Sequence, residues 1–171
     1  MPKLYSTNIK LQNISELEHN HVIMHNKAGY GGGQHLMRDI WDSTIDDPID
    51  QKYLTPFIKK IMTYFTSVMT EVKIRNYRIE HRIYIMDETP FTGQLHDDSC
   101  EYSAVLYYRI DDDIQGGQLL FYDDDANHII DTYQPTVGDL VIFNGVHSVG
   151  PLYAKKTATR SIIIVHINSE D

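Results

Sequence analysis

Residues 77–86 read YRIEHRIYIM, and this stretch sets the fold class. Tyr77, Ile79, His81, Ile83 and Ile85 alternate with Arg78, Glu80, Arg82, Tyr84 and Met86. A period of two belongs to a β-strand, whose successive side chains point to opposite faces. Immediately upstream the period is different. Leu54, Phe57, Ile58, Ile61, Met62, Phe65, Val68, Met69 and Val72 recur at steps of three and four. That spacing predicts one long helix over 51–72 with an apolar stripe. Pro56 falls in its first turns, where a missing amide hydrogen is tolerated.

Downstream, apolar runs at 102–110, 118–123, 127–133, 139–143 and 160–167 read as further strands. The segments between them, DDDIQGG, DDDAN, QPTVGD and NGVHSVGP, carry turn chemistry. A helix followed by many short strands predicts a mainly β (α+β) domain, a sandwich or barrel with the helix laid on its outside. Residues 1–50 read as irregular, with a glycine cluster GYGGGQH at 29–35 and an acid-proline loop DDPID at 46–50. GGGQH lacks the lysine and hydroxyl residue of a phosphate loop.

The bulk numbers bound the function. At 171 residues the chain is the size of one domain with a proper core. Fifteen Lys and Arg against 24 Asp and Glu give a net charge of −9, which argues against a phosphate-tracking nucleic-acid binder. The single cysteine, Cys100, forms no internal disulfide and fits a reducing compartment. The start, MPKLYSTNIKLQNIS, has no signal-peptide pattern, and no apolar run approaches the ~20 residues of a membrane span. A soluble, cytoplasmic protein is expected.

TGQLHDDSCEY, at 92–102, holds the first candidate chemistry. In an extended chain His96 and Asp98 point to one side and can reach one ion. Two histidines and one carboxylate on one face are the ligand set of non-haem Fe(II) oxygenases. GDLVIFNGVHSVGP supplies a second histidine, His147, just past an apolar strand. Asp97 is the alternative ligand if the strand is bulged. Arg160 opens the last apolar strand, RSIIIVHI, where a partly desolvated guanidinium calls for an anionic partner. His19, His21 and His25 form a rival cluster, but no Cys or carboxylate pattern completes a zinc site there.

Taken together, LHDDS, VLYYRID, GGQLLFY, GDLVIFNGVHSVGPLYA and TRSIIIV resemble the Fe(II)- and 2-oxoglutarate-dependent oxygenases, nearest to their prolyl-hydroxylase-like branch. The pieces span about 77–168 and stand in the family's order. The resemblance implies a double-stranded β-helix (jelly roll) occupying 73–171, with residues 1–72 as irregular and helical support, all one oxygenase domain. It implies His96, Asp98 and His147 as iron ligands and Arg160 as the residue that binds the far carboxylate of 2-oxoglutarate. It further implies Tyr108 as a hydrogen-bond donor to that carboxylate and Tyr84 as a tyrosine lining the pocket. His166 shares a strand face with Arg160 and can line the pocket as well.

Lys155 and Lys156 compete with Arg160, because some prolyl hydroxylases use lysine. Arg160 is preferred, since it begins the apolar strand while the lysines look like turn residues. The implied activity is a dioxygenase that consumes 2-oxoglutarate and O2, with ascorbate as a reductant, and hydroxylates an unactivated C–H. The implied target is a prolyl or other residue of a peptide or protein. The alternatives are a small molecule such as a free amino acid, or a jelly roll that binds without turnover. The acidic surface favours a basic peptide over nucleic acid, and no membrane partner is expected.

Overall fold

The computed structural model describes residues 4–24, 27–28, 32–40, 45–93 and 100–170. Its elements in chain order are β1 (Leu4–Asn8), α1 (Ile14–Met24), β2 (Lys27–Ala28), β3 (Gln34–Ile40), α2 (Pro48–Tyr53), α3 (Thr55–Val68) and β4 (Ile74–Met86). There follow β5 (Tyr102–Ile110), β6 (Ile114–Gly116), β7 (Leu119–Tyr122), β8 (Ile129–Tyr133), β9 (Asp139–Phe143), β10 (His147–Val149), β11 (Leu152–Ala154) and β12 (Ala158–Ser169).

The two faces of β4 find different partners, as the alternation requires. β4 pairs along its length with β12, and β12 pairs on its other side with β5. The large antiparallel sheet runs β1-β9-β5-β12-β4-β3-β2. Its outer face carries Ile79, Leu106, Leu140, Ile163 and Val165 against Phe57, Ile61 and Phe65 of α3. Full burial of such side chains contributes about 1.5–3 kcal/mol each, so this contact is the main anchor of the helical layer. On the inner face Val105, Tyr107, Val141, Phe143 and Ile162 pack on Leu119 and Phe121 of β7. β7 belongs to a smaller sheet, β10-β7-β8, beside the two-stranded β11-β6. Two facing antiparallel sheets with helices on one outer side make a jelly-roll-like arrangement.

Four expectations are corrected. The long helix over 51–72 is two short ones, α2 and α3, that meet at Leu54. Pro56 stands at the start of α3; it has no N–H to continue the ladder, so the helix restarts there. DDPID is no loop but a helix start: Asp47 caps α2, accepting from the N–H groups of Ile49 and Asp50. Residues 1–50 are not simply irregular, because β1 pairs with β9 and β3 pairs with β4, extending the large sheet at both sides. Arg38 of β3 forms an ion pair with Asp50 of α2, tying that helix to the sheet. IQG and HSV, inside segments read as turns, are short strands of the small sheets.

Candidate functional site

The inner face of the large sheet floors a cavity of about 460 Å³. Strand alternation sends Tyr84, Arg82, Glu80 and Arg78 of β4 into it, beside Arg160, Ile162, Ile164 and His166 of β12. These residues are cross-strand partners: Tyr84 with Arg160, Arg82 with Ile162, Glu80 with Ile164 and Arg78 with His166. β5 adds Val105 and Tyr107, and the small sheets close the far wall with Leu119, His147 and Val149.

Arg160 is 3% exposed. Its Nη1 donates to the Gly117 carbonyl at 2.8 Å, and its guanidinium carbon lies 5.1 Å from the Tyr107 ring centroid. Its Nε is buried without a hydrogen-bond partner. Among the described residues no carboxylate forms an ion pair with it. A buried cation with an unsatisfied donor facing a cavity fits an anionic group that enters from outside. Burial pushes the Tyr107 phenol up to about 12, against the pull of the Arg160 charge. Tyr84 is raised for the same reason, burial first. Both phenols therefore keep their protons at neutral pH and can donate.

His147 is 4% exposed and faces the same cavity, its ring edge-on to Phe143 at 4.7 Å. Its Nδ1 lies 3.0 Å from the Gly145 carbonyl oxygen. A carbonyl only accepts, so Nδ1 carries a proton, and in the neutral ring the lone pair is then on Nε2. That is the tautomer and the outer-shell hydrogen bond of a metal-ligating histidine.

The structure thus brings His147, Arg160, Tyr84 and His166 to one cavity. His96, Asp97 and Asp98 lie outside the described residues, as do the side chains of His21 and His25. The chain leading to the His96 segment runs along the cavity lip: Gly93 lines it and donates to the Val149 carbonyl at 3.1 Å. Lys155 and Lys156 are exposed in the turn between β11 and β12 and do not line the cavity.

Tyr108 is placed differently from the sequence expectation. It is fully buried on the helix side of the sheet, 2.6 Å from His81 Nε2 and packed near Phe57. Strand alternation explains this: Leu106 and Tyr108 share the helix side while Val105 and Tyr107 face inward, and a β-bulge follows, where Ser161 pairs with Arg109 and Ile162 with Tyr107. Tyr107 faces the cavity in its place. Sequence reasoning also passed over Gly117, whose carbonyl holds Arg160, and Phe91, stacked on Tyr84 at 5.9 Å. The GG pair before LLFY was the available signal for the first.

No family model matches the chain, and no curated protein matches it. Solved structures do. A prolyl-4-hydroxylase from Pseudomonas putida is 16% identical, with 98% of this chain and 93% of that chain covered and a TM-score of 0.61. The fold is that of the prolyl-hydroxylase-like oxygenases. A 2-oxoglutarate-Fe(II) oxygenase family protein from Burkholderia pseudomallei shares this fold at 13% identity, covering 90% and 78% of the two chains, TM-score 0.58. A Trichoplax adhaerens prolyl hydroxylase, solved with a hypoxia inducible factor peptide fragment, does so at 14% identity, covering 96% and 83%, TM-score 0.60. In the prolyl-hydroxylase-like fold of this chain, no helix among the described residues is long and apolar enough to cross a membrane.

Proposed function

We propose that the chain is an Fe(II)- and 2-oxoglutarate-dependent dioxygenase that hydroxylates an unactivated C–H bond. The observation that carries this reading is Arg160, a buried cation with an unsatisfied Nε at one end of a cavity that also holds a histidine in the metal-binding tautomer. In this reading His147 Nε2, His96 and Asp98 hold the iron, with Asp97 as the alternative carboxylate. Arg160 grips the far carboxylate of 2-oxoglutarate, and the Tyr107 hydroxyl, with Tyr84 beside it, donates to the same group.

When bound, iron and 2-oxoglutarate supply the oxidising power, with O2 consumed and succinate and carbon dioxide released. The protein supplies position and dryness. Gly117 fixes one edge of the Arg160 guanidinium, and the Tyr107 ring supports its face. The Gly145 carbonyl fixes the proton on Nδ1 of His147. Leu119, Phe143, Val149 and Leu152 keep the wall apolar, so water is excluded from the reacting bond. For the substrate, a prolyl or other residue of a peptide is the reading supported by the prolyl-hydroxylase neighbours; ascorbate would serve to keep the metal reduced.

An anaerobic titration of the protein with Fe(II) and then 2-oxoglutarate tests the proposal. A visible charge-transfer band, and slow succinate formation on admitting air, are expected. Absence of both the band and 2-oxoglutarate binding would falsify it.

A further inference from the structure

Between Arg109 and Lys155 the chain carries eight Asp and no Lys, Arg or Glu. All but one unit of the net charge of −9 therefore lies in this stretch. The same stretch supplies every strand of the two small sheets, β6, β7, β8, β10 and β11. Asp112, Asp113, Asp124, Asp125 and Asp131 are exposed. Among the described residues, Asp112, Asp113, Asp125 and Asp131 form no ion pair.

Within this acidic region β8 is an open edge. Among the described residues it pairs with β7 alone, as the last strand of β10-β7-β8. Its first four residues, 129–132, are all exposed. The register slips opposite Phe121 and Tyr122, so Ile130 has no partner on β7. Ile129 is 51% exposed, Ile130 40% and Val137 48%. Three of the four exposed large apolar side chains among the described residues thus belong to β8 or to the turn that follows it. Scattered singly they would need no explanation; gathered along an unpaired edge they do.

Edge strands are kept from chance pairing by charges and bulges. β8 has both, but its charges are of one sign. Residues 123–125 precede it, Asp131 stands within it, and beyond its end Asp112 lines an open pocket with Gln134 and Val137. That pocket's cation, Arg160, is 3% exposed. Acid along an edge repels a second copy of this chain, an anionic lipid surface and nucleic acid alike, and attracts a basic strand.

We propose that the outer edge of β8 docks an extended, lysine- or arginine-bearing segment of a partner protein, added as a fourth strand to the small sheet. Backbone groups supply the ladder, Ile129 and Ile130 offer apolar contact, and the carboxylates take the cations. The Thr132 N–H now meets the Asp131 carboxylate at 2.8 Å. An incoming carbonyl takes over that N–H and frees the carboxylate for a cationic side chain. At strand spacings of about 4.8 Å, the docked segment lies about 14 Å from β10, the strand of His147, and so outside the cavity. The surface does not depend on the oxygenase reading, and either can fail alone.

The test is binding to the whole protein in solution. Its probes are ten-residue peptides, N-acetylated and C-amidated, that alternate Lys or Arg with apolar residues, each beside a counterpart with Glu at the charged positions. At least one basic peptide is expected to bind about tenfold more tightly, or better, than its acidic counterpart, and more weakly as salt is raised. It should shift the amide NMR signals of β8 ahead of those of β1. Methylating alternate backbone nitrogens of that peptide keeps its charge and removes strand donors, so binding should fall about tenfold or more. Asp125→Lys combined with Asp131→Lys should turn the preference toward the acidic peptide. The wild-type shift map and the methylated peptide need no variant, so a variant that fails to fold leaves the test intact. Equal binding of the acidic or the methylated peptide would overturn the proposal, as would shifts that spare β8 or no binding by any basic peptide. Dimerisation of the protein through β8 would overturn it too, by making a second copy the occupant.

Discussion

Arg160 and Tyr107 face one another across adjacent strands, the guanidinium carbon 5.1 Å from the ring centroid, both essentially without solvent exposure. Removing the cation should therefore act on the anion it awaits. Arg160→Ala is expected to weaken 2-oxoglutarate binding by about 30-fold to a few thousand-fold, the range for a partner lost from a buried charge pair. Anaerobic titration measures it. Unchanged affinity and turnover would favour a metalloenzyme that uses no 2-oxoglutarate.

Tyr107 and Tyr108 are adjacent in sequence and separated by the sheet. Tyr108→Phe removes the hydroxyl that meets His81 at 2.6 Å. It should cost about 1 kcal/mol of stability in urea denaturation and leave 2-oxoglutarate affinity alone. Tyr107→Phe should do the reverse. A drop in cosubstrate affinity in the Tyr108 variant would contradict the assignment of Tyr107 to the cavity face.

Gly117 has φ +74°, and a Cβ there would overlap Arg160 Nη1. Gly117→Ala meets two obstacles, a left-handed backbone and a displaced guanidinium. The expected result is a stability loss of about 1 kcal/mol together with weakened 2-oxoglutarate binding. A variant that loses stability but binds normally would show that the Gly117 carbonyl is not what orients Arg160.

Burial would raise the Glu80 carboxyl, but the His166 ring 3.3 Å away and the Arg82 charge outweigh it and bring it from 4.5 to about 2. A depressed carboxylate contributes stability that is present above the unfolded value and lost as pH falls through the folded one. The contribution is about 3 kcal/mol, lost between about pH 4.5 and 2. Melting temperature across that window should fall steeply for the wild type. Glu80→Gln should start lower at neutral pH and show a shallower acid limb; a parallel curve would remove Glu80 from the linkage.

How much of this was legible depended on how local each feature is. YRIEHRIYIM declared its period in ten residues, and β4 spans Ile74–Met86 with the polar set turned to the cavity. LYSTN and QHLMRDI are strands only because β9 and β4 lie beside them, a non-local cause that no periodicity announces. Arg160 was legible because a charge at the mouth of an apolar run demands a partner. Tyr107 was not, because in LYYRI two adjacent tyrosines take opposite faces and only the packing of β5 shows which one turns to the cavity. The arginines of β4 were visible as one strand face, but their common cavity with Arg160 appears only once β12 is laid beside them.

β12 lies between β5 and β4 and is hydrogen-bonded on both sides from Arg160 to Ile167. Strands paired on both edges in a core open last, so their amides exchange with solvent only through global unfolding. The segment that carries Arg160 and His166 should accordingly be the slowest-exchanging part of the chain. The cavity's cation then stays in place through every partial opening of the fold, and a molecule arriving at the site meets it already aimed.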